Sequence, residues 1–145
     1  RVESEGFLFD PHGTDGTYGL ILGGRELDSD AQRYVSFEIG PDGNFFVRLQ
    51  ADFESTELVG GFHEAIHRWT GEDAAVKNVL SVDAGATTVR FRINDDTVAE
   101  LARTAVDPDG VVGFRIESGL NIHVTTLDIT TDAGKTEWAP KPPEE

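Results

Sequence analysis

Apolar and polar positions alternate most clearly in the second half of the chain. The sequence Val89-Arg-Phe-Arg-Ile places apolar and charged side chains on opposite sides of an extended backbone. The same period of two recurs at residues 112–116 and 120–124, and the tight-turn sequence Asp107-Pro-Asp-Gly separates two of these stretches. Residues 76–129 therefore predict five short strands, each with one buried face.

The first half of the chain repeats this pattern more loosely. Residues 18–22, 35–39 and 45–49 alternate in the same way, and Gly40-Pro-Asp-Gly supplies a hairpin turn. The alternation is lost from residue 52 to 75, where Glu57-Leu-Val predicts only a weak strand. About ten strands without a helix longer than two turns predict an all-β antiparallel sandwich.

One phase change within the pattern predicts a local irregularity. Leu127 and Ile129 are out of phase with Leu120, Ile122 and Val124. Because strand side chains alternate with a period of two, an extra residue must shift the register between these two groups. We expect a β-bulge near Thr125-Thr126.

Length and composition indicate one folded domain with a polar tail. The chain has 145 residues, 38% of them hydrophobic, which is sufficient for one core. The last residues, ending APKPPEE, combine proline and charge without an apolar pattern. We expect a domain over residues 1–131 and a linker or disordered tail over residues 132–145.

The large excess of acidic over basic residues limits the kinds of molecule that the protein can bind. The formal net charge is −15, which repels nucleic acid and anionic membrane surfaces. Asp28, Asp30, Asp107 and Asp109 together with the Asp95-Asp96 pair suit calcium, although Asp is equally a common turn residue. We expect no cofactor, with calcium as the one alternative. The chain has no cysteine and no methionine and begins at Arg1, so we expect a processed or excised piece of a longer protein.

Several stretches together resemble a known family. Tyr18-Gly-Leu-Ile-Leu-Gly-Gly, followed by Tyr34-Val-Ser-Phe-Glu-Ile-Gly-Pro-Asp-Gly, is similar to concanavalin A-like lectin/glucanase (laminin-G-like) domains. Val89-Arg-Phe-Arg-Ile-Asn and Gly110-Val-Val-Gly-Phe-Arg-Ile extend the likeness. It resembles most the bacterial branch that occurs in exported multidomain proteins, near sugar-hydrolase modules of the 3-keto-disaccharide type.

The resemblance implies a jelly-roll sandwich in an extracellular, periplasmic or cell-surface protein. Family members usually have one or two strands before the position of Val2. Either the domain was trimmed, or another chain or segment covers an exposed sheet edge near the N-terminus, which is also a candidate surface for self-association.

One short sequence matches a catalytic motif. His63-Glu64-Ala-Ile-His67 fits H-E-x-x-H, in which two histidines on one helix face bind zinc. Glycines on both sides limit any helix to about two turns, and no third ligand follows at the usual spacing. His63 and His67 are therefore candidates for a surface metal site, and we expect their loop to lie outside the strand core.

The polar sides of the strands are the main candidate binding surface. Glycans are bound by aromatic stacking and by hydrogen bonds from charged and amide side chains. Trp69, in the long loop, could serve as a stacking platform. The candidate ligand-binding residues are Tyr34, Glu38, Arg48, Trp69, Arg90, Arg92 and His123, with Gln50 and Arg115 on the same sides of their strands.

The sequence favours a non-catalytic module that binds a carbohydrate or a protein partner. The first alternative is a glycosidase-like or metal-assisted hydrolase that uses residues 60–73. The second is a structural domain that packs on a neighbouring module. No pair of carboxylates with the spacing of a glycosidase can be chosen from the sequence.

Overall fold

The computed structural model describes residues 1–9, 16–68, 75–117 and 119–130. Ten antiparallel strands form two five-stranded sheets, which confirms the predicted all-β sandwich. The front sheet has the order β5-β4-β3-β2-β9, and the back sheet has the order β10-β1-β6-β7-β8. The strands are β1 (Val2–Phe9), β2 (Tyr18–Arg25), β3 (Arg33–Ile39), β4 (Asn44–Ala51), β5 (Glu54–Phe62), β6 (Ala75–Ala84), β7 (Thr88–Ile93), β8 (Asp96–Ala102), β9 (Val111–Ile116) and β10 (Asn121–Ile129).

The core lies between the two sheets and consists of the apolar side of each alternating strand. Phe37 of β3 and Phe91 of β7 meet edge to face there, with ring centroids 5.2 Å apart. Both side chains are fully buried. The short helix α1 (Arg103–Val106) follows β8 and contributes the buried Val106 to the same core. No helix among the described residues is long and apolar enough to cross a membrane.

The expected sheet edge near the N-terminus is covered by another segment of the same chain, strand β10, and is not exposed. Strand β1 pairs with β10 on one side and with β6 on the other, so Val2–Phe9 is interior to the back sheet. The first strand is interior because the last described strand, β10, pairs with it. Sequence alternation is local and carries no information about such a long-range pairing.

The predicted irregularity in β10 is confirmed. Glu5 pairs with Thr126, but the next residue, Gly6, pairs with Val124, so Thr125 is the extra residue of a β-bulge. The bulge returns Leu127 to the core side, where it packs against the buried cluster.

Strand β5 is longer than the weak strand predicted at residues 57–59. It runs from Glu54 to Phe62 and begins after a tight turn in which Asp52 and Phe53 have φ values of 54° and 64°. Val59 pairs with Val47 and Glu57 with Arg48, which leaves Leu58 as a bulge. This bulge breaks the period of two and explains why the sequence pattern is lost here. The predicted tail at residues 132–145 lies outside the described residues.

Candidate functional site

The predicted ligand-binding residues lie on two opposite surfaces instead of one. Tyr34, Glu38 and Arg48 are on the outer face of the front sheet, opposite the buried residues of β3 and β4. The other described candidates, Arg90, Arg92 and His123, are on the outer face of the back sheet. The expectation of a single polar face is therefore wrong. Trp69 lies outside the described residues.

The outer face of the back sheet is a ladder of ion pairs. Arg90 pairs with Glu100 at 2.9 Å, and Arg92 pairs with Asp83 at 3.4 Å. These guanidinium groups already have carboxylate partners, so a ligand would have to displace a partner to bind them.

The outer face of the front sheet contains a buried carboxylate. Glu38 lies on β3, and its Oε1 accepts a hydrogen bond of 2.8 Å from Nη1 of Arg115 on β9. Between them lies Gly19 of β2, which pairs with Glu38 on one side and with Arg115 on the other. A Cβ at Gly19 would collide with the carbonyl oxygen of Phe37, so no side chain fits there. The missing side chain lets Arg115 reach across β2 to Glu38.

A threonine hydroxyl links this carboxylate to a second one. Thr17 Oγ1 is 2.5 Å from Glu38 Oε1 and 2.7 Å from Glu117 Oε1. Since a hydroxyl has one hydrogen, it donates to only one of these carboxylates at a time. The hydrogen bonds from Thr17, with smaller contributions from the positive charges of Arg115 and Arg48, lower the pKa of Glu117 below its usual value. Glu117 is therefore an ionised acceptor at neutral pH.

An open pocket of about 250 Å³ adjoins this network. Its wall includes Arg48, whose guanidinium lies over the ring of Phe46 at 4.3 Å from the centroid. Within the described part of the chain, Arg48 forms no salt bridge, and Oε1 of the neighbouring Gln50 is buried without a hydrogen-bond partner. The pocket is lined by Gly16, Thr17, Gly40, Pro41, Asp42, Phe46 and Arg48.

The network and pocket form a polar surface with fixed donors and acceptors. We call this surface the front groove. It comprises Thr17, Tyr34, Glu38, Phe46, Arg48, Gln50, Arg115 and Glu117. Carboxylates and guanidinium groups held by hydrogen bonds can bind several hydroxyl groups at defined positions. A retaining glycosidase requires two carboxylates about 5 Å apart with the glycosidic bond between them. Here the Thr17 hydroxyl occupies the space between Glu38 and Glu117, so the arrangement suits binding better than bond cleavage.

The H-E-x-x-H sequence does not form the helix that the zinc motif requires. Residues 63–68 are a turn, and Nδ1 of His63 accepts a hydrogen bond of 3.0 Å from the backbone of Ala65. Nδ1 of His67 lies 3.0 Å from the carbonyl oxygen of Lys77. Ala65 and Ile66, between the histidines, are buried in the core. The expectation that this loop lies outside the core is therefore wrong.

Metal binding stays a prediction. Among the described residues, no group of three or more His, Cys, Asp or Glu side chains is arranged to hold a metal ion. Of the aspartates considered for calcium, Asp107 pairs with Arg25 at 2.7 Å and Asp109 pairs with Arg103 at 2.8 Å. The hydrogen bond from Arg25 also lowers the pKa of Asp107.

Comparison with known proteins identifies a shared fold. The structure is similar to that of sheep galectin-11 in complex with glycerol, with a TM-score of 0.63 and 14% sequence identity. The similarity covers 88% of this chain and 86% of the galectin chain. No protein-family model matches the sequence, and no curated protein matches it significantly. The chain therefore has a jelly-roll β-sandwich fold, which it shares with this galectin.

Proposed function

We propose that the protein is a non-catalytic carbohydrate-binding module and that its ligand occupies the front groove. The observation that carries this proposal is the Glu38–Arg115 pair, in which a buried carboxylate on the outer face of the front sheet fixes the position of a partly exposed guanidinium. Such fixed polar groups are expensive to desolvate and are typical of sites that recognise hydroxyl groups. The fold shared with a galectin supports the same proposal.

The chemistry of the groove favours one or two sugar units over a long polymer. The pocket volume of about 250 Å³ lies just below the range of roughly 300–1,000 Å³ for ligand pockets. Arg48 and Arg115 would donate to sugar oxygens, and Glu117 would accept from sugar hydroxyls, while the buried Glu38 holds Arg115 in position. Tyr34 adds an aromatic side chain beside Gln50 on the same face.

The setting of the module also belongs to the proposal. We place it in an exported multidomain protein, at an extracellular, periplasmic or cell-surface location, and in the bacterial branch near 3-keto-disaccharide hydrolase modules. A protein partner is the alternative ligand. These statements rest on the sequence resemblance.

The test is a glycan array followed by calorimetric titration with the best neutral mono- or disaccharide. Arg48→Gln should weaken binding at least tenfold, because it removes a charged donor from the groove. Arg90→Gln is the matched control, since it removes a guanidinium from the opposite face and should leave the affinity unchanged. A chelator should have no effect on binding.

Two results would contradict the proposal. An array without any bound glycan would leave the carbohydrate function without support. Binding that survives Arg48→Gln but is lost in Arg90→Gln would place the ligand on the back sheet instead.

A further inference from the structure

Tyr18 crosses the core from the front sheet toward the back sheet. It is the first residue of β2, it belongs to the core between the sheets, and it is only 2% exposed. Its ring packs over Gly6 of β1, where a Cβ would lie 3.6 Å from the ring atom Cε2. A longer side chain at Gly6 would collide with the ring, so the glycine leaves room for the phenol.

The hydroxyl of Tyr18 has no hydrogen-bond partner within the described part of the chain. Other buried polar side chains do have partners. Ser4 donates to the carbonyl oxygen of Thr126 at 2.7 Å, and Asn78 donates to that of His67 at 3.1 Å. A phenol can donate and accept hydrogen bonds, and a buried phenol that does neither is costly. This hydroxyl therefore requires a partner that the described residues do not supply.

Tyr18 also lines a small cavity beside the 63–68 turn. The cavity volume is about 10 Å³, close to the lower limit of roughly 10–15 Å³ at which a cavity holds one water molecule. Asn78 of β6 and His67 are in the same lining, together with Gly40 and Pro41. The cavity is too small for an organic ligand, and its polar lining suits water, whereas cavities that stay empty are apolar.

The Asn78 amide offers the second polar partner that such a water molecule needs. Its Oδ1 accepts hydrogen bonds from the backbone N–H of His67 and from Nδ2 of Asn94, both at 2.8 Å. Its Nδ2 donates to the carbonyl oxygen of His67, which uses one of its two hydrogens. Burial raises the pKa of Tyr18 and the Asn78 side chain lowers it in part, as expected for an amide near the phenol.

We infer that this cavity is a binding site for one ordered water molecule, which accepts hydrogen bonds from the Tyr18 hydroxyl and from Nδ2 of Asn78. The water satisfies the buried phenol and leaves the existing bonds of Asn78 unchanged. Since Tyr18 is on β2 and Asn78 is on β6, the water also links the front sheet to the back sheet. An internal water of this kind is part of the folded structure and is costly to remove.

The site has a consequence for the front groove, and this consequence alone rests on the proposed function. Gly40 and Pro41 line both the cavity and the groove pocket, so they form a wall between the two. Thr17, whose hydroxyl joins the two groove carboxylates, directly precedes Tyr18. The bound water therefore supports the wall of the groove from the inside.

The test is magnetic relaxation dispersion of the water oxygen, measured on the intact chain, because it counts water molecules that stay bound for longer than surface waters. Tyr18→Phe removes the hydroxyl and should lower the count by one. Tyr34→Phe is the matched control, since it removes a hydroxyl from the outer face of the front sheet and should leave the count unchanged. Circular dichroism shows whether each variant keeps its fold.

A high-resolution crystal structure of the unchanged chain is the second measurement, and it requires no substitution. It should show one water within hydrogen-bond distance of both the Tyr18 hydroxyl and Nδ2 of Asn78. Equal counts of long-lived water in the unchanged chain and in Tyr18→Phe would overturn the inference. A crystal structure in which the phenol bonds directly to a protein group would also overturn it.

Hydrogen exchange at the Gly40 amide tests the support of the groove wall. This N–H donates to the carbonyl oxygen of Asn44 at 2.9 Å and should exchange faster in Tyr18→Phe than in Tyr34→Phe. Equal exchange rates would overturn the consequence for the groove. None of these measurements involves a glycan, so the water site and the proposed carbohydrate function fail separately.

Discussion

Arg115 and Glu38 form an ion pair of 2.8 Å across an intervening strand, and the Glu38 side chain is only 2% exposed. Removal of the guanidinium would leave a buried carboxylate without its positive partner, which is costly. We expect Arg115→Ala to lower the free energy of unfolding by about 2 kcal/mol. This is less than for a fully buried pair, because the Arg115 side chain is 36% exposed and water can reach it. Urea unfolding of both proteins measures the difference.

The double variant Glu38→Gln with Arg115→Ala is the control for this prediction. It removes the buried charge together with its partner, and the amide oxygen that replaces the carboxylate can still accept the hydrogen bond from Thr17. The double variant should therefore recover most of the lost stability. If Arg115→Ala alone leaves the free energy of unfolding unchanged, the Glu38 carboxylate is solvated better than its burial indicates.

Burial of Tyr18 predicts a loss of stability at alkaline pH. Its hydroxyl is enclosed in the core, and desolvation raises its pKa from 10.0 to about 12. Between these two values the unfolded chain releases the phenolic proton while the folded protein retains it. Stability therefore falls as pH rises through this interval, by about 2 kcal/mol at its upper end. Tyr18→Phe should remove this part of the pH dependence, as measured by urea unfolding at pH 9 to 12. Equal slopes for both proteins would contradict the assignment.

Two phenylalanines with the same sequence pattern should differ in their contribution to stability. Phe91 is fully buried against Phe37, so Phe91→Ala should cost about 3–5 kcal/mol. Phe114 lies on the edge strand β9 and is only partly buried against the core. The same substitution there should cost roughly 1–2 kcal/mol, because less apolar surface is lost. Equal costs would show that the edge at β9 is covered in solution.

This pair of residues also shows what could be predicted from the sequence. Alternation correctly assigns the core side of each strand, as for Phe91 and Phe114, because side-chain direction depends only on the local backbone. It does not reveal which strands are edges or which sheet a strand joins. The degree of burial of Phe114 and the interior position of β1 both depend on contacts between residues far apart in the sequence.

The candidate site shows the same limit. Tyr34, Glu38 and Arg48 were predicted as ligand-binding residues and lie together on the front groove. Arg90 and Arg92 have an equivalent local pattern but lie on the opposite sheet. The strongest feature of the site, the pairing of Glu38 with Arg115, depends on Gly19 between them. A glycine in an alternating strand indicates that another group approaches its backbone closely. The residues on either side of the glycine can be identified only from the strand register.

Asn78 is the residue that should fix the turn at 63–68 to the core. It is buried, and its Oδ1 accepts hydrogen bonds of 2.8 Å from the backbone N–H of His67 and from Asn94. Its Nδ2 donates to the carbonyl oxygen of His67 at 3.1 Å. Asn78→Ala leaves these groups without partners and should lower the free energy of unfolding by roughly 2–3 kcal/mol.

The histidines of the same turn should matter much less for stability. His67 is exposed, and its ring contacts the backbone of Lys77 alone among the hydrogen-bond partners described. His63→Ala with His67→Ala should therefore leave the fold intact and cost less than about 1 kcal/mol. Hydrogen exchange at the Ile66 amide distinguishes the two cases, since it should accelerate in Asn78→Ala and stay slow in the double histidine variant. A histidine variant as unstable as Asn78→Ala would show that the imidazole rings, and not the buried asparagine, hold the turn against the core.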